Sequence, residues 1–210
     1  MALPDPLALL GKAPVIPVLT IDTADMAVPL ARALYAGGLT ALEVTLRTDA
    51  ALAAIAAIRT ALPDAIVGAG TVRSEADIAA ALKAGAQFLV TPGTPPPLAQ
   101  ALAQGGVPAL PGCATVSEAL ALAALGFRAL KFFPAEASGG VAWLTSVAVP
   151  LRDLRFCPTG GIDMTNAPAY LALPNVFAVG GSWVVPRHAL AAGDFDRVAA
   201  LARNAAGLRL

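Results

Sequence analysis

The 210-residue sequence predicts an α/β fold, a single (β/α)8 TIM barrel spanning residues 1–210. Three observations predict it. Eight short apolar, β-branched runs alternate with Ala- and Leu-rich stretches. Glycines such as Gly37, Gly85 and Gly126 punctuate the ends of those stretches. No G-x-G-x-x-G turn follows the first run, as an open dinucleotide-binding sheet would require.

Each element follows from this alternation. Residues 1–12 predict a short helix covering one end of the barrel. Strands are expected at 15–20, 41–47, 65–71, 87–92, 107–111, 129–133, 154–159 and 176–180. Helical stretches follow, among them 25–36, 50–62, 75–84 and 117–125. Nothing marks a linker, a low-complexity tract or a second domain.

Composition bounds the function. Apolar residues make up 57% of the chain and charged ones 13%, which suits strands buried on both faces. Basic and acidic residues number 14 each, so no net field draws a nucleic acid or an anionic membrane surface. Residues 84–117 carry no charge, but Pro92, Pro95, Pro96, Pro97, Pro108 and Pro111 break the segment too often for a spanning helix. The start, Met1-Ala2-Leu3-Pro4-Asp5, lacks the basic region of a secretory signal, and a cytoplasmic location is expected. Two cysteines, Cys113 and Cys157, are too few for a disulfide scaffold or a complete zinc site.

Barrel enzymes place their chemistry at the C-terminal ends of the strands. In the second strand a period of two turns Glu43, Thr45 and Arg47 into the barrel and Leu42, Val44 and Leu46 toward the helices. A charge there needs a partner. A buried Glu43–Arg47 ion pair without catalytic role fits the pattern as well as a catalytic carboxylate does.

The sixth strand turns Lys131 and Phe133 to one side. Of the three lysines, Lys12 and Lys83 read as solvated charges. Lys131 would be desolvated inside a barrel, which lowers an amine's pKa and frees it to attack a carbonyl; an ion-paired or snorkelling lysine is the structural alternative. Strands two and six are both even-numbered, and alternate strands share inward layers, so Glu43 and Lys131 can face each other.

The turns Gly160-Gly161 and Gly180-Gly181-Ser182 follow strands seven and eight. That is where barrels bind phosphate through backbone N–H groups, and a phosphorylated substrate is expected. Asp163 and Thr165 read as caps of the following helix, and His188, the single histidine, as a surface residue.

Two segments carry a family resemblance: Gly38-Leu39-Thr40-Ala41-Leu42-Glu43-Val44-Thr45-Leu46-Arg47 and Gly126-Phe127-Arg128-Ala129-Leu130-Lys131-Phe132-Phe133-Pro134-Ala135-Glu136. With Ile66-Val67-Gly68-Ala69-Gly70-Thr71, Arg155-Phe156-Cys157-Pro158-Thr159-Gly160-Gly161-Ile162 and Gly180-Gly181-Ser182-Trp183, the sequence resembles the 2-keto-3-deoxy-6-phosphogluconate aldolase family over nearly its whole length. The resemblance implies a class I aldolase, often a homotrimer, that uses neither metal nor organic cofactor. It would split the phosphorylated keto acid into pyruvate and glyceraldehyde 3-phosphate, and many relatives also accept 4-hydroxy-2-oxoglutarate. By motif, Lys131 is the Schiff-base lysine and Glu43 the general acid/base. Arg47 and Thr71 hold the pyruvyl carboxylate, Pro92 and Phe133 line its pocket, and Gly160, Gly161, Gly181 and Ser182 take the phosphate. Cys113-Ala114 departs from the β-branched residue expected after Gly112, which would reshape the pocket without altering the chemistry. Two other readings remain open: a phosphate-binding barrel isomerase or epimerase, and a catalytically dead sugar-phosphate binding protein.

Overall fold

The structure, a computed structural model, describes residues 3–208. Its strands are β1 (Val15–Leu19), β2 (Ala41–Thr45), β3 (Ile66–Gly70), β4 (Leu89–Val90), β5 (Ala109–Leu110), β6 (Gly112–Cys113), β7 (Ala129–Phe132), β8 (Arg155–Pro158) and β9 (Val179–Gly181). All pair in parallel, in a six-stranded ladder ordered β5-β4-β3-β2-β1-β9 and a three-stranded one ordered β6-β7-β8.

The expected α/β fold is present as a curled parallel sheet whose ladder falls in two parts. The break has a cause in the fifth expected strand. Pro111 has no N–H to donate, and the segment changes partner across it. Leu110 registers with Val90 on β4, whereas Gly112 registers with Lys131 on β7. The Pro111 carbonyl still accepts from Lys131 N at 3.0 Å. At the other side, β8 reaches the last strand segment through two isolated parallel bridges, Phe156–Val176 and Thr159–Gly180.

Between the strands lie the helices, of which α2 (Ala24–Ala36), α3 (Ala51–Ala61), α4 (Glu75–Lys83) and, after α5 (Pro96–Gln104), α6 (Val116–Ala124) fall within one residue of the expected limits. Left-handed glycines at Gly85 (φ 92°) and Gly126 (φ 99°) follow α4 and α6. After α2 that conformation belongs to Gly38 (φ 91°), one residue beyond the expected stop. Gly37 is instead right-handed and a glycine for lack of space: a Cβ there would lie 2.3 Å from the Cβ of Ala202 on α10 (Phe195–Ala206).

Two cores result from the alternation of strand side chains. Leu42, Val44, Val67, Leu130, Phe132 and Phe156 pack outward into the helix layer. Ile16, Ala41, Ile66, Phe88, Val90, Leu110, Ala129, Cys157 and Ala178 form a separate inner cluster. That cluster is sealed at the N-terminal ends of the strands by Leu10 of α1 (Pro6–Leu10). Asp5 Oδ1 caps this helix by accepting from Leu7 N at 2.9 Å. The expected helix at 1–12 is thus one short turn over 6–10, with Met1 and Ala2 outside the described residues.

Candidate active site

Ala41 and Ala129 belong to the inner cluster, so the residues two positions further along β2 and β7, Glu43 and Lys131, also point inward. There Lys131 Nζ donates to Glu43 Oε1 at 3.1 Å, and the two residues are 5% and 3% exposed. The Glu43–Arg47 pair that the second strand also allowed does not form. Arg47 is exposed and its Nε donates to Thr71 Oγ1 at 3.3 Å.

Room for the carboxylate comes from β3. Thr45 registers with Gly70, and a Cβ on Gly70 would lie 2.1 Å from Glu43 Oε1. Any larger residue would push Glu43 off the lysine. Gly68 likewise leaves space for the Phe88 ring, 2.5 Å from where its Cβ would be. Immediately after β3, Thr71 has φ 59°, the one left-handed non-glycine among the described residues. Such backbone costs about 1–3 kcal/mol and persists only where the surroundings enforce it. Here it presents the Thr71 hydroxyl to Arg47.

Beyond the pair lies a cavity of about 980 Å³, lined by Arg47, Phe133, Gly160, Gly161, Gly181 and Ser182 among the expected site residues. Glu43, Lys131, Thr71 and Pro92 are not part of its wall. Phe133 connects the two regions, its ring centroid 5.5 Å from Lys131 Nζ. Half-buried Pro92 sits in a loop pinned by Thr91, whose Oγ1 accepts from Gly112 N at 2.9 Å, and by Thr94, whose Oγ1 donates to Gly112 O at 2.9 Å.

At the far end of the cavity, Gly160 (φ 100°) and Gly161 (φ 78°) occupy left-handed backbone. The carbonyls of this turn are engaged: Gly160 O accepts from Glu136 N at 3.1 Å, and Gly161 O from Asn166 Nδ2 at 2.9 Å. Among the described residues no acceptor meets the N–H of Gly161, Ile162 or Ser182. Left-handed glycines with unspent N–H groups beside a cavity offer donors of the kind that an anion can use. Gly181 must lack a side chain as well, since a Cβ would lie 1.6 Å from the Trp183 ring.

Sequence reasoning passed over Thr20, Asp22, Thr159 and Arg187, which also line the cavity. Thr20 and Asp22 directly follow β1, and reading the first strand end as the others were read would have found them. Arg187 opens α9 (Arg187–Ala191), and no local pattern ties it to the cavity.

The remaining polar residues are quieter. Asp163 caps a turn rather than the helix itself, accepting from Thr165 Oγ1, Thr165 N and Asn166 N, and the Thr165 bonds above all hold its carboxyl below the ordinary range. Asn166 is the cap of α8 (Ala167–Leu171). His188 is exposed on α9. Burial pushes the Cys113 and Cys157 thiols up to about 12, so both are protonated at neutral pH. Among the described residues no three His, Cys, Asp or Glu side chains gather as a metal site.

A parallel α/β fold that holds an amine and a carboxylate in buried contact, with a glycine-lined cavity beyond them, is equipped for the carbonyl chemistry of a lyase. The chain belongs to the KDPG and KHG aldolase family, whose model matches residues 8–201. It is 51% identical over 197 residues to the 2-dehydro-3-deoxy-phosphogluconate aldolase of Dickeya dadantii, covering 94% of this chain and 92% of that one. It is 50% identical over 198 residues to the KHG/KDPG aldolase of Escherichia coli, covering 94% and 93%. The fold is similar to the crystal structure of the Legionella pneumophila KDPG aldolase with pyruvate captured as a covalent carbinolamine, at TM-score 0.94 and 40% identity over 96% of this chain and 98% of that one.

Proposed function

We propose that the protein is a class I aldolase cleaving 2-keto-3-deoxy-6-phosphogluconate to pyruvate and glyceraldehyde 3-phosphate, with 4-hydroxy-2-oxoglutarate as a second substrate. The observation that carries this reading is the buried 3.1 Å contact between Lys131 Nζ and Glu43 Oε1. Proton transfer to the carboxylate leaves an amine that attacks the C2 ketone of the substrate and forms a carbinolamine. Glu43 returns the proton to the departing hydroxyl, water leaves, and the iminium becomes an electron sink. Glu43, directly or through water, then takes the C4 hydroxyl proton. The C3–C4 electron pair flows into the iminium, and the aldehyde departs. The enamine on Lys131 is protonated at C3, and water hydrolyses the resulting imine to pyruvate and free enzyme. The carbinolamine held by the Legionella relative is the first intermediate of this scheme. No step calls for a metal or an organic cofactor.

In this reading Arg47 and Thr71 take the pyruvyl carboxylate, Pro92 and Phe133 flank the three-carbon unit, and Gly160, Gly161, Gly181 and Ser182 receive the phosphate. A coupled assay for pyruvate on the phosphorylated acid tests the reaction, and no pyruvate from folded protein would end the proposal. Ser182→Asp tests the phosphate assignment. It should lower kcat/KM for the phosphorylated acid by about 10- to 100-fold through like-charge repulsion and a lost hydrogen bond. 4-Hydroxy-2-oxoglutarate has no phosphate, and its kcat/KM should change far less. Equal losses on both substrates would withdraw the phosphate from these loops.

We further propose that the two ladders act as one closed eight-stranded barrel in a single domain. The continuous 109–113 segment joins them at one edge and the two β8 bridges at the other. A cytoplasmic location fits the two buried, unpaired cysteines, and among the described residues no helix is long and apolar enough to cross a membrane. A homotrimer fits the exposed apolar residues Val116, Leu120 and Leu125 on and just after α6. Light scattering should read three times the 21.0 kDa chain mass, and a monomer at working concentration would exclude it.

A further inference from the structure

The loop that follows β7 carries an acidic residue, Glu136, close to the cradle proposed for the phosphate. Ala135 N donates to Thr159 O at 2.8 Å and Glu136 N to Gly160 O at 3.1 Å, so the loop is zipped along the glycine turn. The Glu136 side chain then crosses Gly161 so closely that a Cβ on Gly161 would lie 2.6 Å from its Cγ. Gly161 lines the cavity. A carboxylate here stands one residue's thickness from an anion site, where its charge would oppose binding.

Among the described residues a single side chain holds the carboxylate. The hydroxyl of Tyr170, on the helix that follows the glycine turn, donates to Glu136 Oε1. Tyr170 is itself buried, and the same hydroxyl would lie 2.9 Å from a Cβ on Gly140, so its position is fixed by packing on a third element, α7 (Gly140–Val147). Burial, and then the Glu136 carboxylate, raise the phenol above its ordinary value, which keeps it protonated and a donor. Asn166 Nδ2 also holds Gly161 O at 2.9 Å, so the turn is tied to the start of α8 as well as to the Glu136 loop.

We infer that Tyr170 and Glu136 are positioning residues for phosphate recognition: the tyrosine anchors the carboxylate away from the anion, and the anchored side chain braces the glycine turn that receives it. The pair acts through Gly161 and touches no reacting atom. This inference rests on the aldolase reading for its substrates but not for its binding arm, which uses inorganic phosphate.

The test is Tyr170→Phe. Loss of a hydrogen bond to a charged group, with the carboxylate freed beside the cradle, should raise KM for the phosphorylated acid about tenfold with kcat nearly unchanged. KM for 4-hydroxy-2-oxoglutarate should stay within about twofold, which also reports that the variant is folded. Calorimetric affinity for inorganic phosphate should fall by a similar factor. Adding Glu136→Gln to Tyr170→Phe removes the released charge and should restore most of the lost affinity, a recovery that a purely structural tyrosine would not give. Equal effects on both substrates, or no recovery in the double variant, would overturn the inference. Failure of the wild type to trap pyruvate on Lys131 would instead end the aldolase reading, leaving the phosphate titrations to decide the role of Tyr170.

Discussion

Lys131→Arg should abolish turnover although the charge is kept. A guanidinium, with a pKa above about 12, stays protonated and is no nucleophile. Arginine can still pair with Glu43, so the variant should fold and the loss should be chemical rather than structural. The wild type, incubated with pyruvate and borohydride, should gain one stable three-carbon adduct located by mass spectrometry on Lys131. Lys12 is exposed, Lys83 is exposed in the last turn of α4, and neither lines the cavity beside Lys131, which leaves them poor competitors for the carbonyl. An adduct confined to either of them, or none at all, would remove the Schiff base from the mechanism. It would also revive the isomerase reading, in which Lys131 serves only as a fixed charge.

Much of this site was legible in the sequence because strand parity is a local rule. Glu43 and Lys131 could be assigned inward from the residues on either side of them, and that the two can meet followed from the layer geometry expected of alternate strands. The glycine turns were equally readable, since left-handed backbone leaves few other choices at Gly160 and Gly161. Contacts between distant segments were not legible. Nothing near Gly37 signals that Ala202 packs upon it, and nothing near Glu136 announces Tyr170, 34 positions along the chain. The partner of Arg47 was open for the same reason. The second strand offered Glu43, and the tertiary fold supplied Thr71 instead. Pro111 shows a different limit: its missing N–H was evident, but which neighbour would take the residues on either side depended on the whole sheet.

Glu43→Gln should reduce kcat by about 10²–10⁴-fold, the range supplied by a positioned general acid or base. The substitution keeps shape, and the amide oxygen can still accept from Lys131 Nζ, so the cavity and the glycine turns should be undisturbed. Gly70 makes that geometry strict, because the 2.1 Å approach of its would-be Cβ shows how little freedom the side chain has to swing elsewhere. What the amide cannot do is take the C4 hydroxyl proton or hand one back during dehydration. Given time, pyruvate and borohydride should still label Lys131, since attack by the amine needs no carboxylate once the lysine has lost its proton to water. Slow turnover with retained labelling is thus the signature expected of a lost proton shuttle. A variant within a few-fold of wild type would place the shuttle on another group and reduce the 3.1 Å contact to an ion pair that merely shelters the lysine. Loss of labelling together with turnover would show that water cannot replace the carboxylate in deprotonating Lys131 for its first attack, and that the two proton transfers assigned to Glu43 are equally indispensable.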